Sequence, residues 1–223
     1  MQTGTCKGRS VLLQIQVDGW WKLGSKRCFE WAKESGATSI VAASTAAVYG
    51  NTDQFPLAED SKLDPMSPYA EYKLRMEELL SEYNTVDLNC VALRFFNVFG
   101  EGQRATGGYV SAVPIFLKQY NSYQPITVTG DGQQTRDFIY VGDICNAIDK
   151  ALDQSWQVDL PVYNVGFGVE RKIYDWAECL GGEIKFIEPR DEPKRSLSDI
   201  SSIKAELGWS PNTDVLDWLS EQK

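Results

Sequence analysis

Thr45, Tyr69 and Lys73 are the residues of this sequence best suited to chemistry. Thr45 closes an apolar run that ends in small hydroxyl residues, Ser39-Ile40-Val41-Ala42-Ala43-Ser44-Thr45. Tyr69 and Lys73 stand in a helix start, Ser67-Pro68-Tyr69-Ala70-Glu71-Tyr72-Lys73. Four residues apart on a helix, they share one face, so the ammonium lies near the phenol oxygen. A neighbouring cation favours the phenolate and lowers a pKa that starts at about 10. With a hydroxyl at a strand's C-terminal end, such a pair can draw the proton from a sugar alcohol. That is one half of a hydride transfer. The other half, a glycine loop to hold a nucleotide, is not found in the sequence.

The elements that must position these residues follow a clear rhythm. Trp20 to Ser35 carries apolar residues at helical spacing and is stopped by Gly36. A buried strand over Ser39 to Ala43 follows, then a polar loop with three prolines. Pro68 starts a helix running to about Tyr83, with Leu74, Leu79 and Leu80 set against Lys73, Arg75, Glu77 and Glu78. Cys90 to Phe95 reads as another apolar strand, ending at Asn97 and the Gly100/Gly102 turn. Strand, helix and strand in this order imply βαβ crossovers, a parallel sheet and an α/β fold. In such sheets ligands bind beyond the C-terminal strand ends, where Thr45 and Asn97 sit.

Beyond residue 103 the pattern shifts. A helix over Tyr109 to Tyr120 leads to a short strand at Ile126 to Val128, and Asp131-Gly132 makes a tight turn. Arg136 to Val141, a helix over Asp143 to Leu152 and a strand at Val162 to Val165 come next. Helices are expected around Ile173–Cys179, Ser202–Leu207 and Val215–Glu221. The expected organisation is therefore a segment over residues 1–19 that fits nothing after it, a parallel-sheet α/β region over 20–102 and a second, smaller mixed region over 103–223 packed on the sheet. Residues 162–166 return to the sheet.

Composition narrows the function. The chain has no histidine, which removes Ser-His-Asp and Cys-His catalysis and most transition-metal sites. Five scattered cysteines lack any Cys-x-x-Cys spacing, which points to reduced thiols in a cytoplasm-like compartment and away from a zinc site. A net charge of −9 disfavours nucleic acid as a partner, since phosphate backbones demand basic stripes. No apolar stretch nears the roughly 20 residues needed to cross a bilayer, so no membrane association is expected. A few local arginines still suit an anionic small molecule.

Several motifs in register resemble the extended short-chain dehydrogenase/reductase family, specifically its nucleotide-sugar epimerases and dehydratases. Ser44-Thr45-Ala46-Ala47-Val48-Tyr49-Gly50 is similar to that family's strand end, and Pro68-Tyr69 with Lys73 to its catalytic helix. Leu93-Arg94-Phe95-Phe96-Asn97-Val98-Phe99-Gly100 and the block from Gly130 to Asp143 match later family segments. Val162 to Gly166 and Asp199 to Trp209 complete the set, so the likeness covers about residues 22–223.

The resemblance implies a Rossmann-like parallel sheet with a small mixed α/β substrate-binding region, NAD as cofactor and a nucleotide-diphosphate sugar as substrate. It implies Tyr69 as general base and acid, and Lys73 as the residue that hydrogen-bonds the nicotinamide ribose. Thr45 would bind the reacting sugar oxygen, with Ser44 as its neighbour and, like Tyr69 and Lys73, a cofactor-binding residue. Phe96 and Val98 would line the nicotinamide pocket. Asn97, Arg136 and, through a segment one residue short of the usual spacing, Arg190 would hold the nucleotide diphosphate. Tyr49, Asn164 and Asp143 read as packing, turn or cap residues. Relatives commonly dimerise through two-helix contacts that include the Tyr69 helix, so a homodimer is the expected assembly.

Within the family, dehydratases usually carry Asp-Glu directly after the catalytic hydroxyl, where this chain has Ala46-Ala47. Alanine cannot protonate a leaving hydroxyl. Simple 4-epimerisation of a UDP-sugar, which needs only Thr, Tyr and Lys, is favoured by elimination. A dehydratase or reductase of the same family, and a non-catalytic remnant that binds sugar nucleotide, are the alternatives. The family opens with a strand, a Gly-x-x-Gly-x-x-Gly loop and a helix that cradle the cofactor pyrophosphate. Gly4-Thr5-Cys6-Lys7-Gly8-Arg9-Ser10 has the wrong spacing for it. The expectation is an N-terminally truncated homologue that lacks the first strands of the sheet and holds NAD weakly.

Overall fold

Small and β-branched apolar residues fill Ser39 to Thr45, and all but the last are buried, as a strand covered on both faces requires. In the computed structural model, which describes residues 10–13, 21–106, 110–154, 160–190 and 192–223, this strand is central. The elements in chain order are β1 (Ser10–Leu13), α1 (Trp21–Glu34), β2 (Ser39–Thr45), a 3-10 turn (Ala46–Tyr49), α2 (Pro68–Ser81), β3 (Asn89–Phe95) and β4 (Asn97–Phe99). Then come α3 (Ala112–Asn121), β5 (Ile126–Thr129), β6 (Thr135–Tyr140), α4 (Val141–Leu152), β7 (Val162–Val165), β8 (Glu170–Lys172), α5 (Ile173–Leu180), β9 (Ile184–Ile187), α6 (Ser201–Leu207) and α7 (Val215–Ser220).

The main sheet runs β1-β2-β3-β7 and is parallel throughout. Alternate residues of its strands feed two cores, as the two-residue side-chain period dictates. Ile40, Ala42, Cys90 and Ala92 pack with Phe29 of α1 and with Met76 and Leu80 of α2. Val41, Val91 and Leu93 pack on the other face with Ile144 and Ile148 of α4 and Ile203 of α6. Helices on both faces of a parallel sheet make the α/β architecture expected from the strand-helix rhythm, Rossmann-like as the family resemblance implies.

A second body of structure grows from the end of β3. β4, β6 and β8 form one small sheet, and β5 pairs in parallel with β9. Phe99, Phe138, Trp176 and Trp218 join in one aromatic core there, with Phe138 and Trp176 edge to face at 4.3 Å between centroids. The strands β4, β8 and β9 had no counterpart in the sequence reading. Each is only three or four residues long, too short for periodicity to register.

Two other expectations meet the structure differently, and a further one falls on residues it does not describe. Ser10–Leu13, inside the segment that matched nothing, pairs with β2 as an edge strand, Ser10 opposite Ser39. Residues 1–9, including most of the Gly4–Ser10 stretch and Cys6, lie outside the described residues, as does Tyr109, the expected start of α3. Most telling is α2. Its buried stripe is Ala70, Lys73, Met76, Glu77 and Leu80, so two charged residues assigned to a polar face instead turn inward. Among the described residues no helix is long and apolar enough to cross a membrane, and no group of His, Cys, Asp or Glu could hold a metal ion.

Candidate active site

The start of α2 is fixed by its own sequence. Ser67 accepts a hydrogen bond from the Ala70 N–H at 3.2 Å, and Pro68 fills the first turn, where no N–H is needed. This holds Tyr69 in the first turn with 41% of its surface exposed, open to a ligand. One turn on, Lys73 is only 7% exposed. Its Nζ lies 5.9 Å from the centre of the Tyr69 ring and donates to the Ala43 carbonyl at 2.6 Å. Ala43 is two residues before Thr45, so the pair stands at the C-terminal end of β2.

Thr45 caps the 3-10 turn that follows β2. Its Oγ1 accepts from the Ala47 N–H at 3.2 Å, which leaves its own proton to donate elsewhere. Ser44 is buried and donates to Glu77. The turn closes at Gly50, whose φ is +68° and where an added Cβ would lie 1.9 Å from the Asp64 carbonyl oxygen. Only glycine fits there.

Burial dominates the electrostatics of Lys73. Desolvation penalises its ammonium and pulls its pKa down to about 8, while the Glu77 carboxylate works in the opposite direction. Glu77 itself is held by a two-pronged bond from Arg94, Nε at 3.1 Å and Nη2 at 2.8 Å. Both side chains are almost fully buried. Arg94 reaches onward to the Tyr49 hydroxyl at 3.0 Å, and Tyr49 donates to Asn164 at 2.7 Å. The sequence reading passed over Glu77 and Arg94. A charged residue inside the apolar strand Cys90-Val91-Ala92-Leu93-Arg94-Phe95 was the signal that could have found them.

The remaining candidate residues form a second group. Thr45 is the register partner of Phe95, so Asn97 follows two residues beyond it at the same sheet end. The Asn97 amide donates to the Asp137 carbonyl at 2.7 Å and to Ser196 Oγ at 3.3 Å. Arg136 lies on β6, the strand beside β4, and pairs with Glu192 at 3.1 Å. Arg190 is exposed, two residues from that carboxylate. Phe96 is buried with Val48, Tyr49 and Leu57, whereas Val98 is half-buried. Asp143 accepts from the N–H groups of Asn212 and Thr213, both at 3.0 Å, tying α4 to the loop before α7.

Asp137 is a further buried carboxylate that the sequence reading did not single out. It accepts from Ser198 Oγ and N, Phe167 N and Gly168 N. Gly166 makes room for this knot, since a Cβ there would lie 2.9 Å from Asp137 Oδ2. Burial pushes the Asp137 carboxyl up to about 6 against those four donors.

The comparisons with known proteins bear on the family and the fold. The family model described as the NAD dependent epimerase/dehydratase family matches residues 22–166. The chain is 34% identical over 206 residues to the uncharacterized UDP-glucose epimerase YtcB of Bacillus subtilis (strain 168), covering 88% of this chain and 63% of YtcB. Among solved structures, the UDP-N-acetylglucosamine 4-epimerase of Methanobrevibacter ruminantium M1, in complex with UDP-N-acetylmuramic acid, superposes with a TM-score of 0.82 at 30% identity. That match covers 89% of this chain and 66% of the other. The UDP-glucuronic acid 4-epimerase of Bacillus cereus, solved with UDP-glucuronic acid and NAD, gives 0.78 at 29% identity and covers 90% and 65% of the two chains. The chain thus spans about two thirds of the length of these relatives.

Proposed function

The chain belongs to the NAD dependent epimerase/dehydratase family, and from that footing we propose that its reaction is the 4-epimerisation of a UDP-sugar. The observation that carries the reading is the placement of Lys73, a buried ammonium bonded to the Ala43 carbonyl and 5.9 Å from the Tyr69 ring. Ala43 is its one hydrogen-bond acceptor among the described residues. A buried ammonium with N–H groups to spare fits the hydroxyls of a nicotinamide ribose. NAD, when bound, supplies the acceptor and donor of hydride.

The chain's own residues do the rest. Tyr69 takes the proton from the sugar C4 hydroxyl, with Lys73 favouring its phenolate form. Thr45 keeps its proton and donates a hydrogen bond to the reacting oxygen, which fixes the distance to Tyr69. Ser44 acts through Glu77, since its hydroxyl is already engaged there. Val98, more open than the buried Phe96, would line the nicotinamide pocket. Asn97, Arg136 and Arg190 anchor the diphosphate while the oxidised sugar turns over, so that the proton and hydride return on the opposite face. The 3-10 turn places Ala46 and Ala47 beside Thr45, and neither can serve as the acid that a dehydratase needs. Four described cysteines are free thiols, in keeping with a reducing, cytoplasm-like compartment.

The test is product formation. Supplied with NAD and UDP-glucose, the chain is expected to yield UDP-galactose, followed by proton NMR of the anomeric signals. A 4-keto-6-deoxy product would make it a dehydratase. UDP-sugar binding with no product at saturating NAD would leave only the binding remnant.

A further inference from the structure

Glu77 does not itself meet the substrate in the chemistry set out above, yet three hydrogen bonds converge on its carboxylate. It lies one helical turn beyond Lys73 on the buried stripe of α2, so the two share a face. Its carboxylate accepts from Ser44 on β2 and from the Nε and Nη2 N–H groups along one edge of the Arg94 guanidinium on β3. Ser44 and Arg94 are register partners on adjacent strands, and both converge on Glu77 of α2. Two strands and one helix are therefore locked at a single carboxylate.

Such a pair is a poor device for stability alone, because apolar residues of like volume often do as well in its place. What apolar residues cannot supply is a fixed negative charge one turn from the lysine. We propose that Glu77 is a positioning residue for the Thr45, Tyr69 and Lys73 set, fixing through Ser44 the strand end that presents Thr45 and holding a negative charge one helical turn from the Lys73 ammonium. The proposal rests on the reading of those three residues given above.

Among the described residues, the polar and charged groups that reach Lys73 or the Glu77 network beside it are few. Tyr69 and Glu77 come from α2, and the Ala43 carbonyl and Ser44 from β2. Arg94 from β3 and Tyr49 from the 3-10 turn reach the same network from beyond Glu77. Glu77 is the negative charge that raises the Lys73 pKa against the desolvation that lowers it.

The test reads Lys73 directly, in the full chain carrying 13C-lysine, with its NMR resonance assigned through K73R. E77Q keeps the shape and removes the charge. The Lys73 midpoint is expected to fall below the wild-type value of about 8, so that less than half of the ammonium remains at that pH. E77Q strands the Arg94 charge, so E77Q/R94M, which removes the pair together, is measured beside it and is expected to move the midpoint in the same direction. S44A retains the carboxylate and is expected to leave the midpoint in place. An unchanged midpoint in E77Q and E77Q/R94M, or an equal fall in S44A, would overturn the proposal. Failure of the underlying functional reading shows elsewhere, as a wild-type chain that titrates as expected but yields no epimer.

Discussion

At the end of β2, Arg94 and Glu77 are 4% and 5% exposed and satisfy one another through two bonds. Across β6 and β8 the ion pairs are open instead. Arg136 and Glu192 are 11% and 40% exposed, and Arg195 and Glu170 are 47% and 23%. The first arrangement cannot exchange partners without stranding a charge in the core. In the second, one member of each pair faces water, so a competing anion replaces a carboxylate at little cost. The difference assigns the two regions different work. On the proposed function, the sheet end would hold the reacting groups still, while Arg136 would trade its internal carboxylate for a ligand's phosphates.

Breaking the buried pair gives the largest expected effect. R94M leaves Glu77 buried without its cation and is expected to cost about 3–5 kcal/mol, read from urea unfolding. E77Q/R94M, which removes both charges, is expected to recover most of that loss. A double variant as unstable as R94M would mean that the bonds, and not the stranded charge, set the cost.

Lys73 sharpens the comparison with a change of the opposite sign. Its folded pKa of about 8 lies below the ordinary 10.5, so the folded state releases this proton more readily than the unfolded one. The stability linked to this group is present above pH 10.5 and is lost as pH falls through 8, so at neutral pH the charge opposes folding. K73M is expected to stabilise the chain at pH 7 by about 1–2 kcal/mol while abolishing turnover. Denaturant midpoints at pH 7 and 10 check both the sign and its disappearance.

Asp137 tests the second region by pH. Its folded pKa of about 6 stands above the ordinary 3.8, so the stability it lends is full below 3.8 and is lost as pH rises through 6. D137N removes this titration. Its unfolding free energy is expected to vary less than the wild type's between those limits, and an identical pH slope would refute the assignment.

The smallest effect on the fold is expected at Glu192. E192A breaks an exposed pair and is expected to change stability by less than about 1 kcal/mol. Freed of its internal partner, Arg136 is expected to bind UDP several-fold more tightly, measured by calorimetry. An unchanged or weaker affinity would contradict the exchange of carboxylate for phosphate.

Much of the candidate site was legible because its residues lie close in sequence. Tyr69 and Lys73 form an i, i+4 pair, and Thr45 ends an apolar run, so local periodicity places all three. The supporting network was not legible in this way. Glu77 meets Arg94 across 17 residues and Ser44 across 33, and a charge on a helix ordinarily signals a solvated face. The stripe Ala70, Lys73, Met76, Glu77, Leu80 has perfect helical spacing but reads as mixed, since only the sheet supplies the partners that make burial tolerable. The same holds for Asp137, whose donors Phe167, Gly168 and Ser198 are 30 to 61 residues away. Of the fold, the parallel sheet and its flanking helices follow from hydrophobic pattern. The three- and four-residue strands β4, β8 and β9 depend on pairing across the second region, which no local pattern announces.

The most direct test of the central claim is Y69F, assayed for both UDP-sugar affinity and epimer formation. The exposed phenol makes few demands on the core, so affinity is expected to stay within about twofold while turnover falls by about 100-fold or more. Turnover preserved in Y69F, with binding intact, would show that another group moves the proton.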